Sequence, residues 1–172
     1  MLKEAPIKSG PADWIVASLL PELRDAFAKI LAVLPPDEKH RSGGYFCLRP
    51  LGLECAPVVV SQIGTITDPV KARKYFELAQ EKANRLDAHI KTMGHKSSWQ
   101  SRDPAKNQWG GAIFANGWIF SFSGLPELAD EAAMVLVAMR FGFLNPRQVA
   151  EITAKSLNPF VDLVLTKIMQ RA

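Results

Sequence analysis

Few side chains in this sequence combine type and spacing in a way that suggests chemistry, and most of them fall between residues 95 and 109. That segment reads His-Lys-Ser-Ser-Trp-Gln-Ser-Arg-Asp-Pro-Ala-Lys-Asn-Gln-Trp and runs into Gly110-Gly111. It is polar and basic, yet it holds two of the four tryptophans and one of the three histidines. Aromatic walls with a few cations suit a flat anionic ligand: Trp99 and Trp109 supply apolar contact, while Arg102 and Lys106 meet carboxylates. His95, between Gly94 and Trp99, could serve as a lone axial ligand to a haem-like ring; as an exposed loop histidine it would do nothing of the kind. Gly110 and Gly111 either let a ligand approach the backbone or simply allow positive φ where a strand begins. The candidate binding set is therefore His95, Trp99, Arg102, Lys106, Trp109, Gly110 and Gly111. The plainer alternative is that the two tryptophans pin a surface loop to the core.

Other reactive types are sparse. His89 and His95 lie six residues apart, about 600° around a helix, so no two-histidine metal site is expected, and the expectation is no metal. Glu127, Asp130 and Glu131 could form an acid–base or metal cluster, but carboxylates in a first helical turn commonly just complement the helix dipole. Cys47 and Cys55 are too few and too far apart for a zinc site and read as small buried hydrophobes. No phosphate-binding loop, dinucleotide fingerprint, His-Glu-x-x-His or Gly-x-Ser-x-Gly is present.

The elements that would position these residues are legible from spacing. Residues 11–34 read as helical with one break or restart at Pro21, which has no N–H to donate. Residues 36–44 read as a polar loop. Tyr45–Leu48 and Ala56–Ile63 read as strands joined through a Pro50-Leu51-Gly52 turn. From 69 to 93, Ala72, Phe76, Ala79, Ala83, Leu86, Ile90 and Met93 form an apolar stripe at helical spacing. Asp68 is its expected N-cap, Pro69 its first residue and Gly94 its stop. Asn116-Gly117 between Ala112–Ala115 and Trp118–Phe122 signals a hairpin. A buried helix opens at Pro126, and Asn145-Pro146 and Asn158-Pro159 start two more.

The chain has 172 residues, 48% of them apolar and 22% charged, as expected of one globular domain. Residues 71–106 hold nine Lys/Arg against four Asp/Glu, a local +5 within a net charge of +4. Such a strip attracts anions or is merely a solvated helix face. No nucleic-acid-binding signature accompanies it, so no nucleic-acid partner is expected. No apolar run is long enough to span a membrane, and the N-terminus lacks an export pattern, so the expected location is cytoplasmic.

The run Gly110-Gly111-Ala112-Ile113, then Asn116-Gly117, Phe122-Ser123-Gly124 and Asp130-Glu131-Ala132, resembles the GlcG/HbpS family, also called the haem-degrading or PduO C-terminal-like domain. Lys71-Ala72 and Lys82-Ala83 in the preceding helix are similar to it too. The resemblance covers roughly residues 56–141. It implies a profilin-like antiparallel sheet with helices, oligomerisation, and in some members haem, corrinoid or another small cofactor. The chain departs from it where Ala112-Ile113 replaces the family's proline, and where Trp118, Phe120 and Phe122 replace a glycine-rich strand.

Together these readings predict an α+β fold, a profilin-like antiparallel sheet packed by helices with extra C-terminal helices. The expected organisation is an N-terminal helical segment (1–44), the α+β core (45–144) and C-terminal helices (145–172) within one domain. The expected function is non-catalytic binding or sensing of a small molecule, with haem or a related tetrapyrrole first. The alternatives are a self-associating structural module, or a small-substrate enzyme using the 95–109 loop with Asp130 or Glu131. Helices 11–34, 126–141 and 146–170 carry more apolar surface than one sheet layer needs, which predicts a homo-oligomer.

Overall fold

The computed structural model describes residues 15–52 and 57–169. Cys55, the first residues of the 11–34 helical stretch, Ala56 and the end of the 146–170 segment lie outside the described residues. A π-helical turn, Ile15–Leu19, runs directly into α1, Leu20–Val33. Pro21 sits in the first turn of α1, where its missing N–H has no partner to lose, so it opens the helix. Within the expected 36–44 loop, Pro36–Glu38 form a 3-10 turn, and β1 (Gly43–Pro50) begins earlier than the sequence suggested. β2 (Val59–Gly64) follows, and then α2 (Pro69–Met93). Asp68 Oδ1 caps α2 by accepting from Val70 N (2.8 Å) and Lys71 N (3.2 Å), and Gly94 ends it in the left-handed region.

The 95–109 segment is not an open loop. It folds into two 3-10 turns, Ser98–Ser101 and Pro104–Lys106, and Ser97 bridges to Ile113. The hairpin is β3 (Ala112–Ala115) and β4 (Trp118–Ser123). Both turn residues have positive φ, 47° at Asn116 and 82° at Gly117, the geometry that matches strand twist in a two-residue loop. Three helices complete the chain: α3 (Glu127–Arg140), α4 (Pro146–Ser156) and α5 (Phe160–Met169). Asn145 caps α4 as expected, but α5 begins one residue after Pro159, with Asn158 Oδ1 accepting from Phe160 N at 3.0 Å.

The four strands form one antiparallel sheet in the order β2-β1-β4-β3. Strand alternation divides it cleanly. Phe46, Leu48, Ile113, Phe120 and Phe122 face a large core shared with α1, α3, α4 and α5. Cys47, Ala112 and Ile119 face Ala79, Ala83 and Leu86 of α2. The fold is thus α+β, with a sheet covered on both faces by helices. The apolar faces of α1, α4 and α5 are buried against α3 and the sheet within one chain: Leu23, Phe27, Ile30, Ile152, Val161 and Val164 all lie in that core. Intramolecular burial thus accounts for much of the apolar surface that the sequence assigns to an oligomer interface. No helix among the described residues is long and apolar enough to cross a membrane.

Candidate functional site

The basic strip is only partly a solvated face. Leu78, Lys82 and Arg85 form a second row on α2 beside Ala79, Ala83 and Leu86, and both cations of that row are buried. Arg85 pairs with Glu81 (2.6 Å) and reaches across to the 95–109 segment. There it donates to the carbonyls of Ser98 (2.9 Å), Ser101 (2.9 Å) and Trp109 (2.6 Å). Lys82 is 1% exposed. Its Nζ donates to Asp130 Oδ2 at 2.8 Å and to the Phe122 carbonyl at 2.9 Å. These two hydrogen bonds leave one of the three ammonium N–H bonds over.

The carboxylates that open α3 do more than complement its dipole, because each holds a different segment. Glu127 accepts from Arg102 (Nε to Oε1, 2.7 Å) and from Gly110 N (2.9 Å). Asp130 receives Lys82 on one oxygen and Leu125 N (2.8 Å) on the other. Glu131 accepts from Ser97 Oγ, Ser156 Oγ and Asn158 Nδ2 (3.0 Å), tying α4 and the start of α5 to the 97–101 turn. Burial raises the pKa of Asp130 to about 6 against the opposing pull of Lys82, and burial raises Glu131 too.

Above the Lys82–Asp130 pair lies a cavity of about 350 Å³. Its walls come from α2 (Lys74, Tyr75, Leu78), the turn before β1 (Glu38, Arg41), Trp109, and residues 123–127. Arg41 pairs with Glu38 (2.7 Å) and donates to the Gly124 carbonyl (3.3 Å), whereas Lys74 is exposed and makes no ion pair among the described residues. A smaller recess of about 120 Å³ adjoins it, sharing Arg41, Tyr75 and Gly124 and adding His40 and Lys71. The larger groove between α1, α3 and α5, about 780 Å³, is lined by surface charges such as Glu22, Lys29 and Arg140 and contains no buried ionisable group.

The candidate set from the sequence is brought together only in part. Arg102 stacks between Trp99 and Trp109, with its guanidinium carbon 5.1 and 5.6 Å from the two rings, and its charge is met by Glu127. Lys106 pairs with Asp103 at the surface. A Cβ on Gly110 would fall 2.8 Å from the Trp99 ring. At Gly111 (φ 119°) it would fall 2.7 Å from Asp130 Cβ and 2.9 Å from Lys82 Nζ. Both glycines therefore make room for the protein's own side chains. Of the seven residues, Trp109 alone lines the cavity.

His95 packs edge-on against His89, with ring centroids 5.2 Å apart and both Nδ1 atoms buried without a hydrogen-bond partner. The expectation that these rings stay apart assumed a continuous helix; Gly94 turns the chain back before His95. Burial, then the charges of His89 and Arg85, hold the His95 imidazole below its ordinary pKa. These residues do not fit a haem: the histidine faces another histidine, the arginine meant for a propionate is held by Glu127, and the tryptophans clasp that arginine. Among the described residues no group of three or more His, Cys, Asp or Glu is placed to hold a metal. Cys47 is buried, and burial pushes its thiol up to about 12, so it is inert at neutral pH.

Sequence reasoning missed Lys82 and Arg85 as buried residues of the candidate site. The available signal was their 4,3 spacing from Leu78, parallel to the apolar stripe.

Asp130 carries a pH prediction. A folded-state pKa of about 6, raised from 3.8, means the fold prefers the protonated acid. That stability is fully present below about pH 4 and is lost as pH rises through 6. Asp130→Asn removes this titration. In urea unfolding, the stability of wild type minus that of the variant is expected to fall by roughly 1–3 kcal/mol between pH 4 and 7. A difference that is flat or grows with pH would contradict the assignment.

No protein-family model matches the chain, and no curated protein or solved structure matches it.

Proposed function

We propose that this chain is a small-molecule binding domain whose ligand is a compact anion, held in the cavity above Lys82 and Asp130. The observation that carries this reading is the convergence at one cavity of a buried lysine with an N–H to spare, the guanidinium of Arg41 and the ammonium of Lys74, which has no ion-pair partner among the described residues. Lys82, buried with two fixed partners, reorganises little on binding, and the carboxylates that also line the cavity, Glu38, Glu127 and Asp130, are matched by Arg41, Arg102 and Lys82. Tyr75 and Trp109 add aromatic wall for the ligand's carbon skeleton. A volume of about 350 Å³ lies at the small end of ligand sites and suits a short carboxylate better than a tetrapyrrole. The resemblance to the GlcG/HbpS family, whose matched residues include Lys82, Gly111 and Asp130, supports a small-molecule role for the same region.

Calorimetric titration with oxalate, malonate and succinate tests the reading. At least one should bind saturably near 1:1, and Lys74→Glu should weaken it at least about tenfold, or 1.4 kcal/mol. Absence of binding by all three, or an unchanged affinity in the variant, would overturn it.

A further inference from the structure

We propose that Lys82 is a covalent anchor for a carbonyl ligand, forming an imine with a small aldehyde or α-keto acid in the cavity above it. The inference rests on the anion-binding reading and adds bond formation to it. A lysine this deeply buried is rarely left beside a cavity without a purpose, since a purely structural ion pair is commonly no better than an apolar one. Lys82 has the features that imine chemistry requires. Lys82 lines the cavity, and its Nζ is fixed by two acceptors, the Phe122 carbonyl and Asp130, so the amine is held in one place. Gly111 lets Nζ take this position, because a Cβ there would fall 2.9 Å from it. The carboxylate that must take its proton is 2.8 Å away, with its second oxygen held by Leu125 N. Arg41 and Lys74 are placed to receive the ligand's own carboxylate.

The step balances without a redox partner. Lys82 transfers a proton to Asp130, and the freed amine attacks the carbonyl carbon, forming the C–N bond as the C=O π pair moves to oxygen. A proton shifts from nitrogen to that oxygen, giving the carbinolamine. Asp130 then returns its proton to the hydroxyl, the C–O bond breaks, and water leaves. The product is an iminium that keeps one positive charge beside the Asp130 carboxylate, as the ammonium did. Burial moves the Asp130 carboxyl upward, which narrows the gap the first proton transfer must cross.

The test uses unmodified protein with glyoxylate and sodium cyanoborohydride at mildly alkaline pH, followed by peptide mass mapping. Reduction of the imine leaves a carboxymethyl group on the lysine. Lys82 is expected to be labelled at least about tenfold faster than the exposed Lys39 and Lys155, and glycolate, the same anion without a carbonyl, should slow that labelling by competition. If glycolate and glyoxylate bind but Lys82 is labelled no faster than the exposed lysines, the covalent step is wrong and the binding reading stands. If neither ligand binds and Lys82 stays unmodified, both fall.

Discussion

Lys82→Met is expected to destabilise the fold by about 3–5 kcal/mol, the range for removing one partner of a buried ion pair. Methionine is similar to lysine in length and fills much of the same space, so packing loss contributes little. What remains is the Asp130 carboxyl, buried, with Leu125 N as its one hydrogen-bond donor among the described residues. The Phe122 carbonyl also loses its Lys82 partner. Asp130 can relieve the charge by taking up a proton, so the loss should deepen from acid to neutral pH. Urea unfolding at pH 5 and pH 8 measures both features. A loss under about 1 kcal/mol at pH 8 would show that Lys82 does not hold α2 to the start of α3.

The second large effect is expected at Arg85. Arg85→Ala removes the donors to the Ser98, Ser101 and Trp109 carbonyls at once. Each buried acceptor left without a partner costs about 1–3 kcal/mol, less where water can enter, so a total of about 2–4 kcal/mol is expected. The effect should be local. Amide exchange in residues 98–110 should accelerate at least about tenfold, while β1 and β4 keep their protection. Arg85→Lys should recover little of it, because an ammonium cannot reproduce the planar fork that spans these carbonyls. Uniform acceleration across the sheet would mean that Arg85 supports the whole fold and not this segment.

The two sites explain what a sequence reader can and cannot see. The ends of α2, the start of α4, the Asn116-Gly117 turn and the alternating faces of β4 are encoded within a few residues of themselves, so spacing and capping chemistry reveal them. The site is encoded at long range. Lys82 meets Asp130 across 48 residues, and Arg102 meets Glu127 across 25, separations that no local pattern reports. Spacing alone leaves Lys82 in a strip that either attracts anions or is a solvated face, because the stripe through Ala79, Ala83 and Leu86 marks only one of two buried rows. The tryptophans and cations of residues 95–109 stand out in the sequence by type. Their cations are nevertheless matched by Glu127 and Asp103, and their rings by Arg102 and Gly110. Helical arithmetic separated His89 from His95, and a left-handed glycine between them cancelled it.

The central claim is that a small anion sits over the Lys82–Asp130 pair and not on the 95–106 turns. A backbone amide NMR titration of the protein with oxalate tests it most directly. Saturable shifts are expected at Arg41, Tyr75, Gly124 and Leu125 and at the Trp109 indole, the groups around the cavity. Shifts confined to residues 95–106, or none on saturation with oxalate, malonate and succinate in turn, would contradict it.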